Sequence, residues 1–204
     1  MAATRRAGKI EPEDEQPFAD LPQVARHESG HVACAIATGR TLRSVHLGVG
    51  RRGGRTETGS EGTVLTDADL RAGVVVALGG VAAEELLSTS PTMGAESDVR
   101  GATELLIARI ESGLDPDFPP ISRRAWGTYS TPQAVDALIA PHVMHALEAA
   151  REQAREIVYR ERTAIERFAE LLLAEPDLSG TALDEALAAV GWRPATSATQ
   201  EEAA

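Results

Sequence analysis

The chain has 204 residues, 43% of them hydrophobic but only 3% aromatic, and a formal net charge of −11. That length suits one domain of ordinary size or two very small ones, with a core built from Ala, Leu, Val and Ile, and it argues against a chain disordered throughout. The acidic balance argues against nonspecific binding to nucleic acid or to acidic membranes. A single cysteine, Cys34, excludes an intramolecular disulfide and a cysteine-based zinc site; on helical spacing it reads as a buried, inert thiol. No run of about 18 apolar residues and no signal-peptide core is present, so the expectation is a soluble, cytoplasmic protein with no membrane span.

Residues 1–16 run from Arg5-Arg6 into the acidic Glu11–Glu15 without an apolar period and read as a flexible tail. A folded domain is expected over 17–192, with a metal-binding part over 17–112 and a helical part over 130–192, followed by a disordered tail over 193–204. Leu21 to Thr38 is an apolar, Ala-rich run that predicts a helix closed by Gly39. Arg43–Val49 and Glu61–Leu65 alternate partially and predict a β-hairpin, with Gly50-Arg51-Arg52-Gly53-Gly54-Arg55 in a long mobile tip. The arginines of that tip read as solvated rather than as an anion site. No Gly-x-x-x-x-Gly-Lys-[Ser/Thr] phosphate loop occurs anywhere.

Thr66-Asp67-Ala68-Asp69 offers an N-cap to a helix with apolar positions at Leu70, Val74, Val75 and Leu78. Gly79-Gly80 is expected to interrupt it before Val81–Leu87 resumes, and a close helix–helix approach is the physical reason for two such glycines. Ala95–Ile110 is amphipathic and opens with Glu96 and Asp98, carboxylates that a helix dipole favours in a first turn. Glu111–Ser130 is irregular. Thr131 to Ala174 predicts a helical hairpin whose first arm is kinked or restarted at Pro141, and Thr181–Val190 a last short helix. His142, His145 and Glu148 recur on helical spacing but read as surface or packing residues rather than a second metal face.

Inside the first helix stands His27-Glu28-Ser29-Gly30-His31, a His-Glu-x-x-His pattern. One turn separates the histidines, so both imidazoles leave one face, as two ligands of a tetrahedral zinc must. Glu28 is placed to take a proton from a zinc-bound water without itself binding the metal. A third ligand is required. A histidine six residues after His31 would mark one large class of metalloproteases, but that position is Ala37. Spacing leaves His46, Glu84 or Glu85, and Asp98 open. The missing Pro-Cys-x-x-Cys pair disfavours a nucleobase deaminase.

Three motifs in order, His27–His31, Gly79-Gly80-Val81-Ala82-Ala83-Glu84-Glu85-Leu86, and Gly94-Ala95-Glu96-Ser97-Asp98 continuing into Ala102-Thr103-Glu104-Leu105, resemble the zinc metallopeptidase domain of the FtsH family of AAA proteases. Leu171–Gly180 is similar to the end of that domain, and the likeness runs from about residue 20 to 190. The resemblance implies a mainly α (α+β) fold, with a zincin-like metal helix, a small β-hairpin or sheet, and a helical-hairpin subdomain. It implies His27, His31 and Asp98 as ligands of Zn2+, Glu28 as catalytic base, and Glu85 as a residue that orients a ligand or neighbouring main chain. The expected activity is that of a metalloendopeptidase on unfolded or flexible polypeptides, with the substrate extended along the Glu61–Leu65 strand at Gly62, Thr63 and Val64. The family carries Arg where this chain has Val81, and it carries membrane spans and an ATPase module for which the residues before Pro17 leave no room. The chain is therefore expected to act alone, with a separate AAA ATPase partner, or as a fragment. The family's hexameric rings make a homo-oligomer a further expectation. The rival reading is a non-catalytic binding module with structural zinc.

Overall fold

A computed structural model describes residues 20–48, 53–59, 64–88, 95–119, 121–122 and 132–193. The elements in chain order are helix α1 (Leu21–Ala37), strands β1 (Thr41–His46) and β2 (Arg55–Gly59), and helices α2 (Asp67–Leu87), α3 (Glu96–Glu111) and α4 (Pro132–Ala174). Strand β3 (Asp177–Ser179) and helix α5 (Gly180–Ala189) complete the order. The protein is mainly α with one small sheet. The tails expected over 1–16 and 193–204 lie outside the described residues except for Arg193.

Helix α1 starts at Leu21 with Pro22 in its first turn, where a missing N–H is harmless. It ends at Ala37, and Gly39, just past the Thr38 cap, has a φ of 73°, a left-handed geometry that glycine adopts freely. Thr66 caps α2 as its sequence predicts. Its hydroxyl accepts from the Asp69 N–H at 3.2 Å, while the Asp69 carboxylate accepts from the Thr66 N–H at 2.8 Å, a reciprocal capping box.

Gly79-Gly80 does not interrupt α2, which is continuous for 21 residues. The close approach expected of these glycines is present. A Cβ on Gly30 would lie 2.4 Å from the Gly79 carbonyl oxygen, and one on Gly79 would lie 2.6 Å from that of Gly30. The two helices touch backbone to backbone, beside Cys34, whose thiol is buried and pushed up to about 12 by that burial, against a small opposing effect of Arg160.

The sheet is antiparallel in the order β2-β1-β3, with a bulge between Leu42 and Ser44. The second hairpin strand is Arg55–Gly59, earlier than expected. Val64 stands in a bend at 78% exposure, Leu65 lies outside any strand, and residues 60–63 fall outside the described residues. Polar Arg-Thr-Glu-Thr hides a strand from an apolar count. Its partners are supplied by β1, so the ladder rather than the side chains decides the register. Strand β3 pairs with β1 through Val45 and Leu178, and it fills what the sequence presents as a helix-breaking Pro-Asp linker.

The expected helical hairpin is instead the single 43-residue helix α4, with Pro141 inside it. Between Pro141 and Ala174 there is no Gly, Pro, Asn, Asp or Ser from which a turn could be made. Its buried positions, among them Val135, Ile139, Val143, Ala154, Ile157, Val158, Ile165, Phe168 and Leu172, form one stripe along its length against the core.

Candidate metal centre

Helix α1 presents His27 and His31 one turn apart, both buried, with their rings edge to face at 4.7 Å between centroids. Their Nε2 atoms lie 3.0 Å apart. The first turn of α3 brings Asp98 to them, its Oδ2 lying 2.9 Å from His27 Nε2 and 3.6 Å from His31 Nε2. Bonds of about 2.0–2.1 Å to a tetrahedral ion place neighbouring donors about 3.3 Å apart, so this triangle has the size of one face of a zinc coordination shell. Among the described residues these three form the one group of His, Cys, Asp or Glu side chains close enough to share an ion.

The hydrogen bonds behind the triangle decide its charge. His31 Nδ1 lies 2.7 Å from the Val76 carbonyl oxygen, which can only accept, so the proton of the neutral ring sits on Nδ1. The Gly80 N–H is 3.3 Å from the same nitrogen, but it is an interior helix donor with Val76 O as its own i−4 acceptor. His27 Nδ1 donates to Glu84 Oε1 at 2.7 Å. Both Nε2 atoms are thereby left with lone pairs aimed at one point beside a carboxylate. Such a set fits a divalent cation, and without one it draws a proton. Burial alone would lower the His31 pKa, but the hydrogen bond to Asp98 and the charges of Glu28 and Asp98 outweigh it and raise the value to about 9. Burial would raise Asp98 in the same way, yet the contacts with His27 and His31 hold its carboxyl well below the usual range.

The approach of α2 makes this geometry possible. A Cβ on Gly80 would lie 2.4 Å from His27 Nε2, so the ring packs flat against bare backbone. Val76, Gly80 and Glu84 follow one another at i, i+4 and i+8, one stripe of α2 that holds His31, makes room for His27 and then holds His27. Helix α3 is fixed from its far end. Arg109 is buried and donates to Asp67 at the start of α2 and, at 2.5 Å, to Asp115. Burial opposes ionisation of Asp67, but Arg109 and Arg71 lower its pKa overall.

Glu28 is buried beside the triangle. Thr56 of β2 donates from Oγ1 to Glu28 Oε2 at 2.6 Å, and a Cβ on Gly54 would lie 2.3 Å from Glu28 Cγ. The strand therefore runs directly over this carboxylate. Glu28, His31 and Asp98 all open onto a cavity of about 380 Å³.

Several expected residues sit elsewhere. Glu85 does not reach a ligand. It accepts from Arg151 at 2.7 Å and Arg155 at 2.6 Å, tying α2 to α4, and the contact expected of it is made by Glu84. His46 pairs with Asp177 at 2.9 Å across the sheet. Gly62 and Thr63 lie outside the described residues, and Val64 lies outside β2. His142 packs its ring on Phe118 at 4.7 Å and shares no metal-sized group with His145 or Glu148. Sequence reasoning missed Thr56 and Gly54, and it offered Glu84 only as one open choice for a third ligand, not as the partner of His27 Nδ1. The signal for that place is the i+4 spacing of Glu84 from Gly80.

A family model described as peptidase family M41 matches residues 19–185. The ATP-dependent zinc metalloprotease FtsH of Acidothermus cellulolyticus is 34% identical over 175 residues, covering 77% of this chain and 26% of the relative. The FtsH of Corynebacterium glutamicum is 30% identical over 195 residues, 87% of this chain and 22% of the relative. That of Mycobacterium leprae is 32% identical over 214 residues, 95% of this chain and 26% of the relative. The chain thus spans about a quarter of the length of these curated relatives. Among the described residues no helix is long and apolar enough to cross a membrane.

Proposed function

The chain belongs to peptidase family M41, and from that premise we propose that it is a zinc-dependent endopeptidase that hydrolyses peptide bonds of unfolded or flexible polypeptides. The observation that carries this is the converging set of His27 Nε2, His31 Nε2 and Asp98 Oδ2, each ring held by its other nitrogen, with a carboxylate base alongside.

His27, His31 and Asp98 would hold the ion. Zinc, when bound, supplies Lewis acidity to the scissile carbonyl and lowers the pKa of water at the site to roughly 7. Glu28 takes the proton of the attacking water and passes it to the leaving amine, so no covalent intermediate with the protein is needed. Thr56 holds the Glu28 carboxylate by one oxygen, leaving the other for the water. Glu84 and the Val76 carbonyl keep the two rings in the ligating tautomer, as acceptors behind metal-bound histidines commonly do. Strand β2 pairs with β1 on one side only among the described residues, so its outer edge suits an extended substrate bound through main-chain hydrogen bonds. That role moves from Glu61–Leu65 to Arg55–Gly59. An extended chain is required by such binding, which restricts folded substrates to those opened beforehand, by their own flexibility or by a separate ATPase.

The test is cleavage of casein by the zinc-loaded protein, with a chelator and Glu28→Gln as controls. The expected result is cleavage lost in both controls, with zinc content and fold unchanged in Glu28→Gln. Asp98→Asn with zinc quantified tests the third ligand, and full zinc retention would remove Asp98 from the set. Zinc bound with no cleavage under any condition would favour a binding module.

A further inference from the structure

The cavity beside the metal centre contains a cation that the reaction does not use. Arg40 follows directly on Gly39, just past the end of α1, and lines the cavity together with Glu28, His31, Asp98, Gly73 and Leu105. With 31 carboxylates to 20 basic residues, arginines in this chain have acidic partners in excess. Arg26 holds Glu166, Arg109 holds Asp67 and Asp115, and Arg151 and Arg155 share Glu85. Half-buried Arg40 forms no ion pair among the described residues. Its Nη1 donates to the Asp69 backbone carbonyl at 2.9 Å, and its buried Nε has no hydrogen-bond partner. The one carboxylate on which the Arg40 charge is seen to act, Asp69, is committed to the α2 cap through the Thr66 N–H and hydroxyl. Arg55, also on the cavity wall, is largely exposed and pairs with Glu57 at 2.9 Å.

We propose that Arg40 selects substrates carrying a carboxylate on the residue that follows the cleaved bond, so that this cavity is an acid-accepting pocket. The inference rests on the peptidase reading. Glu28 hands its proton to the leaving nitrogen, so the residue carrying that nitrogen must lie on the Glu28 side of the centre, where the cavity opens. At about 380 Å³ the cavity has room for one side chain. Gly73 keeps that room open, since a Cβ there would stand 3.1 Å from Leu105 Cδ1 and 3.9 Å from Arg40 Nη1. A guanidinium already oriented by one backbone bond and retaining unused donors accepts a carboxylate without first losing another partner. The carboxylate can come from an Asp or Glu side chain or from a substrate's own C-terminus.

Fluorogenic peptides identical except for Glu, Gln or Leu after the cleaved bond, with both ends blocked, test the side-chain source. A Gln peptide ending at that residue with a free acid tests the terminal source. The expected kcat/KM for Glu, for the free acid, or for both exceeds that of the blocked Gln peptide by about tenfold, as suits one charge-assisted pair. Arg40→Met should bring that ratio to about one, while Arg40→Lys should keep its direction, with zinc content and circular dichroism as checks on folding. Equal rates for all peptides in the wild-type protein would overturn the inference and leave the peptidase reading standing. Should nothing be cut, the peptidase reading falls, and peptide binding to zinc-loaded Glu28→Gln by fluorescence anisotropy still decides the pocket. Tighter binding of an acid-bearing peptide that Arg40→Met abolishes supports it, and equal or absent binding of the acidic and Gln peptides overturns it.

Discussion

Glu84 Oε1 lies 2.7 Å from Nδ1 of His27, and the residue that carries it is only 3% exposed. A carboxylate so placed fixes the tautomer and orientation of the ring as a ligand. Glu84→Gln should therefore weaken zinc binding by about 10- to 100-fold, read by competition with a chelator of known affinity. Glu85→Gln, one position along the helix, should leave that affinity in place and lower the melting temperature by loosening the join to Arg151 and Arg155. If Glu85→Gln impaired zinc binding and Glu84→Gln did not, the geometry described here would be refuted.

Gly80 poses a contest between two effects of known size. In the interior of a helix, Gly→Ala is worth up to about 1 kcal/mol of added stability. Here the new Cβ would stand 2.4 Å from His27 Nε2 and 2.6 Å from two ring carbons, so the ring must leave its place. The clash should win at the metal. Gly80→Ala is expected to fold but to lose most of its zinc, measured by metal analysis after dialysis. Full zinc retention in this variant would mean that the ring is not held against α2.

Thr56 reaches Glu28 from the edge strand with a 2.6 Å hydrogen bond and has no place in the metal shell. Replacing it by Val keeps the shape and removes the donor. The expected outcome is about a tenfold lower kcat, the worth of one hydrogen bond to a charged group, with zinc affinity unaltered. Loss of zinc in Thr56→Val would place the residue in a structural role instead.

Proton and metal compete for one site, and the sign follows from the pKa directions. In the metal-free protein His31 titrates near 9 against an ordinary 6.5, so its stabilisation is complete below 6.5 and lost as pH rises through about 9. Asp98 is depressed from 3.8, so its stabilisation is present above that value and lost as pH falls through the lowered one. The melting temperature of metal-free protein should accordingly fall between pH 6.5 and 9, and more steeply than that of the zinc-loaded form. Zinc binding at pH 7.5 should release a proton, seen as a binding enthalpy that changes with the ionisation enthalpy of the buffer. A binding enthalpy independent of buffer would contradict this assignment.

The linear sequence by itself determined the metal helix and its paired histidines, the N-cap at Thr66, the close helix contact at Gly79, and the mainly helical class with a small sheet. Each is a local matter: one turn of helix, one cap, or one residue too small to keep two backbones apart. Tertiary structure alone decided the rest. Whether Glu84 or Glu85 meets His27 depends on the rotation of α2, which the packing of Gly30 on Gly79 sets and which a string of neighbouring residues does not reveal. Asp98 comes to the histidines because Arg109, buried between Asp67 and Asp115, anchors α3 at its opposite end. The strand over Glu28 is polar, and only its ladder with β1 makes it a strand. Convergence of side chains from distant segments is a property of the packed chain, since no spacing along one helix or strand can specify where another will cross it.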